Sequence, residues 1–306
     1  MIRANRYHGD MTAPAAIILN TSSGVDNSHG SLPGLLRNNG IDAEIVIAAR
    51  GVDITALARQ LLQSGRRTLV AAGGDGTVSA VATAMAGTEA TLGVLPLGTL
   101  NHFAKDLKVP LDIEGAVKNL STGVAHIVDV AEVNGRTFIN NSGLGLYPSM
   151  VKQRERFRRL GQRKWIAFFH ASVATLRRFP FLEVRLAAGG KVLERRTPFV
   201  FVGNNAYRME GIDLGSRDSL TEGLLCLGVA QYRIGRWGLI RLAFRALFGN
   251  IRSERDFTVL TTKEVRITSR HKRLPVSIDG EVVLLETPLD YRARPGALRV
   301  IAPEAR

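Results

Sequence analysis

The sequence predicts an α/β protein in two parts, a parallel α/β domain followed by an antiparallel domain of the β-sandwich type. Three observations favour this fold. Apolar strand patterns alternate with helical spacing through the first 125 residues. Beyond about His126, short strand patterns are joined through glycine-containing turns instead. The chain also has 306 residues, 45% of them hydrophobic, which is enough for two modest cores.

In the first part, four short apolar strands each lead into a turn or a helix. They are predicted at residues 15–19, 43–48, 68–72 and 91–95. Apolar residues at helical spacing predict a helix over residues 53–64, and another helix is expected to begin at Val78. Strand–turn–helix units at this spacing imply parallel strands joined by right-handed crossovers.

In the second part, hairpins are predicted around Asn134-Gly135, Gly189-Gly190 and Asp279-Gly280. The strands that flank these turns are expected at residues 129–133 and 137–141, 182–186 and 192–196, and 276–278 and 282–285. Two helices are expected between them, at residues 155–178 and about 235–249. We place the domain boundary near residues 125–130. This divides the chain into a flexible N-terminus (1–12), a first domain (13–127) and a second domain (128–306).

The charge distribution predicts anionic partners. The formal net charge is +14, and residues 151–180 carry nine Lys or Arg against one Glu. Either a solvated helix face or a patch facing an anionic membrane would explain this segment. Nucleic acid is not expected as a partner, because the sequence contains no base-reading or stacking module.

The compartment is predicted from three further features. The single cysteine, Cys226, excludes an internal disulfide and fits a reducing cytosol. The N-terminus lacks the pattern of a signal peptide, and the apolar stretch at 165–176 is too short to span a bilayer. We therefore expect a cytoplasmic protein that associates peripherally with the inner face of the membrane.

The central motif is Gly73-Gly74-Asp75-Gly76-Thr77, between the third predicted strand and a helix. Glycines let a backbone approach a ligand closely, and a helix N-terminus offers unpaired N–H groups to phosphate. Asp75 would repel a bare phosphate, which indicates a Mg²⁺ ion or a hydroxyl nearby. The alternative is an ordinary glycine-rich turn in which Thr77 is the helix N-cap.

A second turn of the same kind follows the fourth predicted strand, at Pro96-Leu97-Gly98-Thr99-Leu100-Asn101-His102-Phe103-Ala104. In an open parallel sheet, ligands bind beyond the carboxyl ends of the strands. Two adjacent strand ends, each with a Gly-Thr turn and a helix, would therefore face one nucleotide. Thr99 would either cap its helix or donate a hydrogen bond to that nucleotide.

These two motifs, in this order, resemble the diacylglycerol-kinase catalytic family, and especially its bacterial lipid kinases. Further matches lie at Asn20-Thr21-Ser22-Ser23-Gly24, at Asn141-Ser142-Gly143-Leu144-Gly145, at residues 160–165, and at Asp279-Gly280-Glu281. The first motif alone is shared with NAD kinases, whose fold the first domain would also share. The ordered set spans nearly the whole chain and is much more specific.

The resemblance implies an ATP site and a general base. ATP phosphates would be bound by Gly73, Gly74, Asp75, Gly76, Thr77, Val78 and Ser79, and the nucleotide would also be contacted by Asn20, Thr99 and Asn101. Glu281 would take the proton from the lipid hydroxyl, and Asp75 is the second catalytic candidate. The residues alone leave another interpretation of Glu281 open, that of a solvated strand residue after a tight turn.

A Mg²⁺ loop is also implied by the resemblance. Its ligands would be Glu222, where aspartate is usual, and the main-chain carbonyls of Ser219 and Leu224. Glutamate reaches about one bond further than aspartate, which changes the geometry of such a site. His102 stands where many family members carry aspartate, and alanines at 48 and 49 occupy the region of a usual threonine.

The function expected from the resemblance is Mg²⁺-dependent transfer of the ATP γ-phosphate to a hydroxyl of diacylglycerol or a related membrane lipid. Two alternatives remain. One is a NAD-kinase-like small-molecule kinase, for which Asn204-Asn205 is the nearest candidate motif. The other is a catalytically inactive, lipid-binding regulator. The pattern specifies neither the lipid nor the oligomeric state.

Overall fold

The computed structural model describes residues 15–21, 32–145, 181–207, 217–230 and 257–304. The helices predicted at residues 155–178 and 235–249, and the basic segment 151–180, lie outside these ranges. The helices are α1 Leu32–Asn38, α2 Ile54–Gln63, α3 Asp75–Met85, α4 His102–Asp106 and α5 Ile113–Thr122. The strands of the first half are β1 Ala15–Asn20, β2 Ala43–Ala48, β3 Thr68–Gly73, β4 Thr91–Pro96, β5 Val124–Val133, β6 Arg136–Phe138 and β7 Asn141–Gly145. Those of the second half are β8 Leu182–Ala188, β9 Lys191–Thr197, β10 Phe199–Asn204, β11 Leu225–Ala230, β12 Phe257–Thr262, β13 Glu264–Ser269, β14 Arg273–Ile278, β15 Glu281–Glu286 and β16 Leu289–Ala302.

The first domain is a parallel sheet in the order β2-β1-β3-β4, as the strand–helix alternation predicts. Every residue of β3 is buried, as expected of a parallel strand with helices on both faces. The direction in which successive strands are added reverses between β1 and β3. The loops after these two strands therefore meet at the switch point where such sheets bind ligands.

No helix in the described ranges is long and apolar enough to cross a membrane.

Helix α3 begins at Asp75, so the predicted start at Val78 is wrong. Gly74 is extended (φ −86°, ψ −176°) and is the N-cap, and its carbonyl accepts hydrogen bonds from Thr77 N (2.9 Å) and Val78 N (3.1 Å). The alternative role of Thr77 as N-cap is therefore wrong as well. Thr77 lies inside the first turn of the helix, with its side chain buried.

The second domain pairs a six-stranded antiparallel sheet, β12-β11-β10-β7-β14-β15, with the strands β5, β6, β8, β9, β13 and β16 of the other sheet. A buried core that includes Phe138, Leu144, Val202 and Tyr291 lies between them. The three predicted hairpin turns all have positive φ at both central residues, which is the geometry of a tight type I′ turn. The predicted antiparallel β domain is therefore confirmed.

One predicted strand, residues 137–141, is wrong because the chain leaves the sheet within it. Strand β6 ends at Phe138, and β7 begins at Asn141 in the other sheet. In between, the N–H groups of Ile139, Asn140 and Asn141 all donate to the carboxylate of Asp279. A side chain distant in sequence thus replaces the ladder partner that the local pattern predicts.

Strand β16 joins the two domains. It pairs antiparallel with β13 and β5, and its end pairs parallel with β4, which gives one ten-stranded sheet across both domains. Its register on β5 shifts between Arg294 and Leu298. Beyond this bulge, the last residues of the strand pack in the core of the first domain: Leu298, Val300, Ile301 and Ala302.

Asp129 on β5 fastens two loops to the junction between the domains. Its side chain is buried, Oδ2 accepts a hydrogen bond from Gly223 N (2.6 Å), and Oδ1 accepts one from Gly296 N (2.8 Å). Gly223 belongs to the loop at residues 219–224, and Gly296 lies in the β16 bulge. The conformations of both loops therefore depend on one buried carboxylate.

We predict that Asp129→Ala lowers the free energy of unfolding by about 1–3 kcal/mol, because it leaves the buried N–H of Gly223 without an acceptor. Urea denaturation followed by circular dichroism would measure this. Asp290→Ala is the control, because it removes an exposed ion pair with Arg266 whose loss should cost at most about 1 kcal/mol. Equal losses in the two variants would contradict the prediction.

Candidate active site

Two glycine-containing loops meet at the carboxyl ends of β3 and β4. A Cβ on Gly98 would lie 2.5 Å from Gly74 Cα and 2.8 Å from Asn101 Oδ1, and a Cβ on Gly73 would overlap the Thr77 side chain. Only glycine permits this approach of the two backbones. The second loop therefore lies directly on the first, as a shared ligand site requires.

Asp75 fastens the second loop to the first. Its Oδ2 accepts a hydrogen bond from Asn101 N (3.0 Å), and its Oδ1 accepts one from His102 N (2.7 Å), at the start of α4. Asn101 has a left-handed backbone (φ 51°), and its side chain bonds Gly98 N and O. Both oxygens of Asp75 thus bind backbone N–H groups, and its predicted role towards Mg²⁺ or in catalysis stays a prediction.

The other residues predicted to bind nucleotide cluster around these loops, but not all present a side chain to a ligand. Asn20, at the end of β1, donates its amide to Thr77 Oγ1 (2.9 Å). The side chains of Thr77, Val78 and Asn101 are buried, so Val78 and Asn101 contribute mainly backbone and packing. The side chain of Thr99 is exposed.

Asp279 connects helix α3 to the second domain. Its Oδ2 accepts hydrogen bonds from Ser79 Oγ (2.6 Å) and Ile139 N (2.9 Å), and its Oδ1 accepts from Asn140 N (2.9 Å) and Asn141 N (3.0 Å). The residue keeps some exposure, but these donors enclose its carboxyl group. Burial raises the pKa of Asp279, and the four hydrogen bonds oppose that rise. The sequence motif contained Asp279 but did not indicate this role, because a tight Asp-Gly turn already accounts for an aspartate.

Glu281 is the first residue of β15, immediately after the turn that contains Asp279. It is exposed, and no described residue donates a hydrogen bond to its carboxylate. The Ser79–Asp279 hydrogen bond holds its hairpin beside α3. Carboxylates are among the side chains that act as general bases, and this one is accessible from solvent.

Arg217 is a second connection between the domains, and sequence reasoning missed it. Its side chain is fully buried, and Nε and Nη2 both donate to Asp106 Oδ2 on α4 (2.8 and 2.6 Å). Nη1 donates to Ile139 O (2.6 Å), and the guanidinium lies 5.4 Å from the centre of the Tyr207 ring. Burial raises the pKa of the Tyr207 hydroxyl, and Arg217 opposes that rise.

The loop predicted to bind Mg²⁺ is held by its own hydrogen bonds. Glu222 Oε2 accepts a hydrogen bond from Ala206 N (3.1 Å), Glu222 N donates to Asn205 Oδ1 (3.1 Å), and Leu224 O accepts from Asn205 N (2.8 Å). The predicted metal ligands are all oxygen atoms, which fits a hard cation such as Mg²⁺. The described ranges contain no group of three His, Cys, Asp or Glu side chains that could hold a metal. A Mg²⁺ ion bound by Glu222 would therefore need main-chain carbonyls as its other ligands.

Asn204-Asn205, the candidate motif for a NAD-kinase-like site, has a structural role. Asn204 is fully buried, and its Nδ2 donates to Asp129 O (2.9 Å) and Ile139 O (3.0 Å). Its amide donors are therefore occupied by the backbone of its own domain. Asn205, also buried, holds the loop of Glu222.

Comparison with known proteins gives two matches that follow each other along the chain. Residues 14–133 match the diacylglycerol kinase catalytic domain, and residues 143–302 match the YegS C-terminal NAD kinase beta sandwich-like domain. A probable lipid kinase YegS-like of Klebsiella pneumoniae is 36% identical over 143 residues, 46% of this chain and 48% of that protein. The chain thus spans about half the length of several such relatives. The diacylglycerol kinase of Bacillus subtilis is 29% identical over 240 residues, 75% of this chain and 76% of that protein.

A solved structure confirms the fold. A diacylglycerol kinase from Bacillus anthracis superposes with a TM-score of 0.70 at 22% identity, covering 95% of this chain and 97% of that one. The two matched regions have the order that the motifs predicted, and the second alone covers more than half of the chain. The chain therefore belongs to the diacylglycerol-kinase catalytic-domain family, the kinase family that includes the YegS-like lipid kinases.

Proposed function

We propose that this protein is an ATP- and Mg²⁺-dependent kinase that phosphorylates a hydroxyl of diacylglycerol or a related membrane lipid. The observation that carries the proposal is the hydrogen bond between Ser79 Oγ and Asp279 Oδ2 (2.6 Å). It joins the helix that follows the glycine-rich loop to the hairpin that contains Glu281. It would hold the proposed phosphate site beside the exposed carboxylate of Glu281.

The nucleotide would bind at the two glycine loops. The N-terminus of α3 begins directly after Gly74, so its unpaired N–H groups and positive dipole end would face the phosphates. Because Gly74 and Gly98 lack side chains, the two loops can lie against each other, and both would present backbone to the phosphates. Phosphoryl transfer depends mainly on positioning and charge neutralisation, which such a site supplies.

Glu281 would act as the general base. The lipid hydroxyl oxygen attacks the γ-phosphorus, the bond from that phosphorus to the β,γ-bridging oxygen breaks, and ADP leaves. The hydroxyl proton passes to the Glu281 carboxylate. Mg²⁺ supplies positive charge when it is bound, and Glu222 with the carbonyls of Ser219 and Leu224 would hold it.

The lipid would be met at the cytoplasmic membrane surface, by reversible peripheral association. The net charge of +14 and the basic segment 151–180 support electrostatic docking on anionic headgroups. The names of relatives support a lipid substrate, since one is a diacylglycerol kinase and another a probable lipid kinase.

The proposal is tested by incubating purified protein with labelled ATP and Mg²⁺ and a panel of lipids in mixed micelles, with NAD as a parallel acceptor. Label in a lipid product supports the proposal. Label in NAD alone indicates the small-molecule kinase, and vesicle binding without any transfer indicates the inactive regulator. Either of the last two results would contradict the proposed function.

Gly74→Val is predicted to abolish ATP binding without unfolding the protein. The backbone of Gly74 is one that valine can adopt, and its Cβ would meet only Gly98 Cα, at 3.4 Å. The added methyl groups would press against the second glycine loop at Gly98 and displace the backbone that the phosphates would approach. Isothermal titration calorimetry would measure the affinity, with Gly34→Ala as the control, since a Cβ there meets nothing within 4 Å. Unchanged ATP affinity in a folded Gly74 variant would show that the loop is not the phosphate site.

Glu281→Gln is predicted to reduce turnover by roughly 10²–10⁴-fold, the usual contribution of a general base, with ATP affinity close to wild type. Glu281→Asp should keep part of the activity, because the aspartate side chain still carries a carboxylate, although it is about one bond shorter than that of glutamate. Single-turnover rates would be measured for both variants, and Glu286→Gln on the same strand is the exposed control. A Gln variant as fast as wild type would exclude Glu281 as the base and leave Asp75 as the candidate.

Binding to anionic vesicles is predicted to fall steeply with salt, because exposed charges are screened beyond about 10 Å at 0.1 M. Reversing Arg154, Arg156, Arg158 and Arg159 to Glu should reduce co-sedimentation further. The matched control reverses four exposed basic residues of the β8–β9 hairpin: Arg185, Lys191, Arg195 and Arg196. If both quadruple variants lose the same amount of vesicle binding, the binding depends on net charge and not on the basic segment. If the protein binds neutral and anionic vesicles equally, electrostatic docking is excluded.

A further inference from the structure

We propose that residues 139–141, here termed the crossing segment, are clamped between two opposite charges, and that Asp106 and Arg217 are positioning residues for catalysis. The clamp consists of Asp279 with Ser79 on one edge of the segment and Arg217 with Asp106 on the other. Its effect is to fix the glycine loops relative to the Glu281 hairpin. The catalytic part of this inference rests on the proposed function of Glu281.

The N–H edge of the crossing segment faces an anion. All three of its N–H groups donate to the Asp279 carboxylate, at 2.9–3.0 Å. In return, Asp279 N donates to Asn141 O (2.9 Å). The turn that precedes Glu281 is therefore bound to the crossing segment by four hydrogen bonds.

The carbonyl of Ile139 and the side chain of Asn140, in the same segment, face a cation. Arg217 Nη1 donates to Ile139 O (2.6 Å), and Nη2 donates to Asn140 Oδ1 (2.9 Å). Asn140 O accepts hydrogen bonds from the Tyr207 hydroxyl (2.9 Å) and from Asn204 N (2.9 Å). The peptide between Ile139 and Asn140 therefore lies between a negative carboxylate, which accepts from its N–H, and a positive guanidinium, which donates to its C=O, and this orientation strengthens both hydrogen bonds.

Each charge also reaches into the first domain. Asp279 binds Ser79 on α3, which follows the first glycine loop. Arg217 binds Asp106 on α4, which follows the second glycine loop. The hairpin of Glu281 cannot move relative to either loop without separating a buried charge from its partner. Loss of Asp106 is strongly unfavourable, because the fully buried guanidinium of Arg217 would then remain without its counter-charge.

The catalytic consequence follows from the distance dependence of phosphoryl transfer. A displacement of about 1 Å between reacting groups can reduce a rate by about 10²-fold. In the described ranges, the side-chain hydrogen bonds and the ion pair of Asp106 and Arg217 link them to each other and to residues 139, 140 and 204, and not to residues 73–79 or Glu281. They would therefore act through the crossing segment. Their loss should therefore lower turnover more than nucleotide affinity.

The test variant is Asp106→Asn, which keeps the size of the side chain and one acceptor but removes its charge. We expect kcat to fall by about 10–10²-fold, with KM for ATP within about threefold of wild type. Leu186→Ala, on β8 in the second core, is the control for lost stability, and Glu44→Gln is the control for loss of an exposed ion pair with Arg66. All variants are assayed well below their unfolding temperatures. A kcat for Asp106→Asn within threefold of wild type, or no lower than that of Leu186→Ala, would overturn the proposal.

Amide hydrogen exchange provides a readout that does not depend on activity. In Asp106→Asn, exchange in the crossing segment should accelerate by at least about tenfold more than in β3 and β4, because the clamp opens locally. In Leu186→Ala, no such preference for the crossing segment is expected. Uniform acceleration in the Asp106 variant would show that the pair contributes only global stability. If the wild type phosphorylates no lipid, or Glu281→Gln is fully active, the proposed function fails while the exchange result still decides whether the clamp exists.

Discussion

Three consecutive backbone N–H groups must find an acceptor where the chain passes from one sheet to the other, and a single carboxylate accepts all of them. The N–H groups of residues 139–141 lie where the chain changes sheets, because β6 ends at Phe138 and β7 begins at Asn141 in the other sheet. Buried backbone donors are almost always paired, and here the acceptor is Asp279. Because Asp279 must accept these hydrogen bonds, the position of its turn is fixed, and so is the position of the first residue of β15. The bond from Ser79 then aligns α3 with that turn.

The same arrangement recurs at two other places in the part of the chain that the structure describes. Asp75 binds backbone N–H groups of the second glycine loop, and Asp129 binds Gly223 and Gly296. A carboxylate can accept several hydrogen bonds at once, and a charged acceptor makes them stronger than neutral ones. Of these acids, Asp75 is the one that the sequence assigned to metal binding or catalysis. Asp75 illustrates the difficulty, since its helix-capping contacts and a role towards Mg²⁺ would both require the same residue type.

Much of the architecture could be predicted from the sequence, because its signals are local. The four parallel strands have short apolar patterns, and each hairpin has two turn residues that tolerate positive φ. The two glycine loops were predictable for the same reason.

The start of α3 was misplaced because extended Gly74 caps the helix without any side chain. Arg217 and Asp106 could not be paired from the sequence, since they are 111 residues apart and no pattern links them. The strand predicted at 137–141 failed because Asp279, more than a hundred residues later, takes its hydrogen bonds.

The return of β16 to the first domain has a consequence for the order of folding. Leu298, Val300, Ile301 and Ala302 complete a core whose other members come mostly from the first 130 residues. On the ribosome, the parallel sheet is therefore synthesised long before the strand that pairs with the edge of β4. Until then β4 has an unpaired edge, and exposed strand edges promote association between chains. We therefore expect the first domain to complete its core only after β16 has been synthesised.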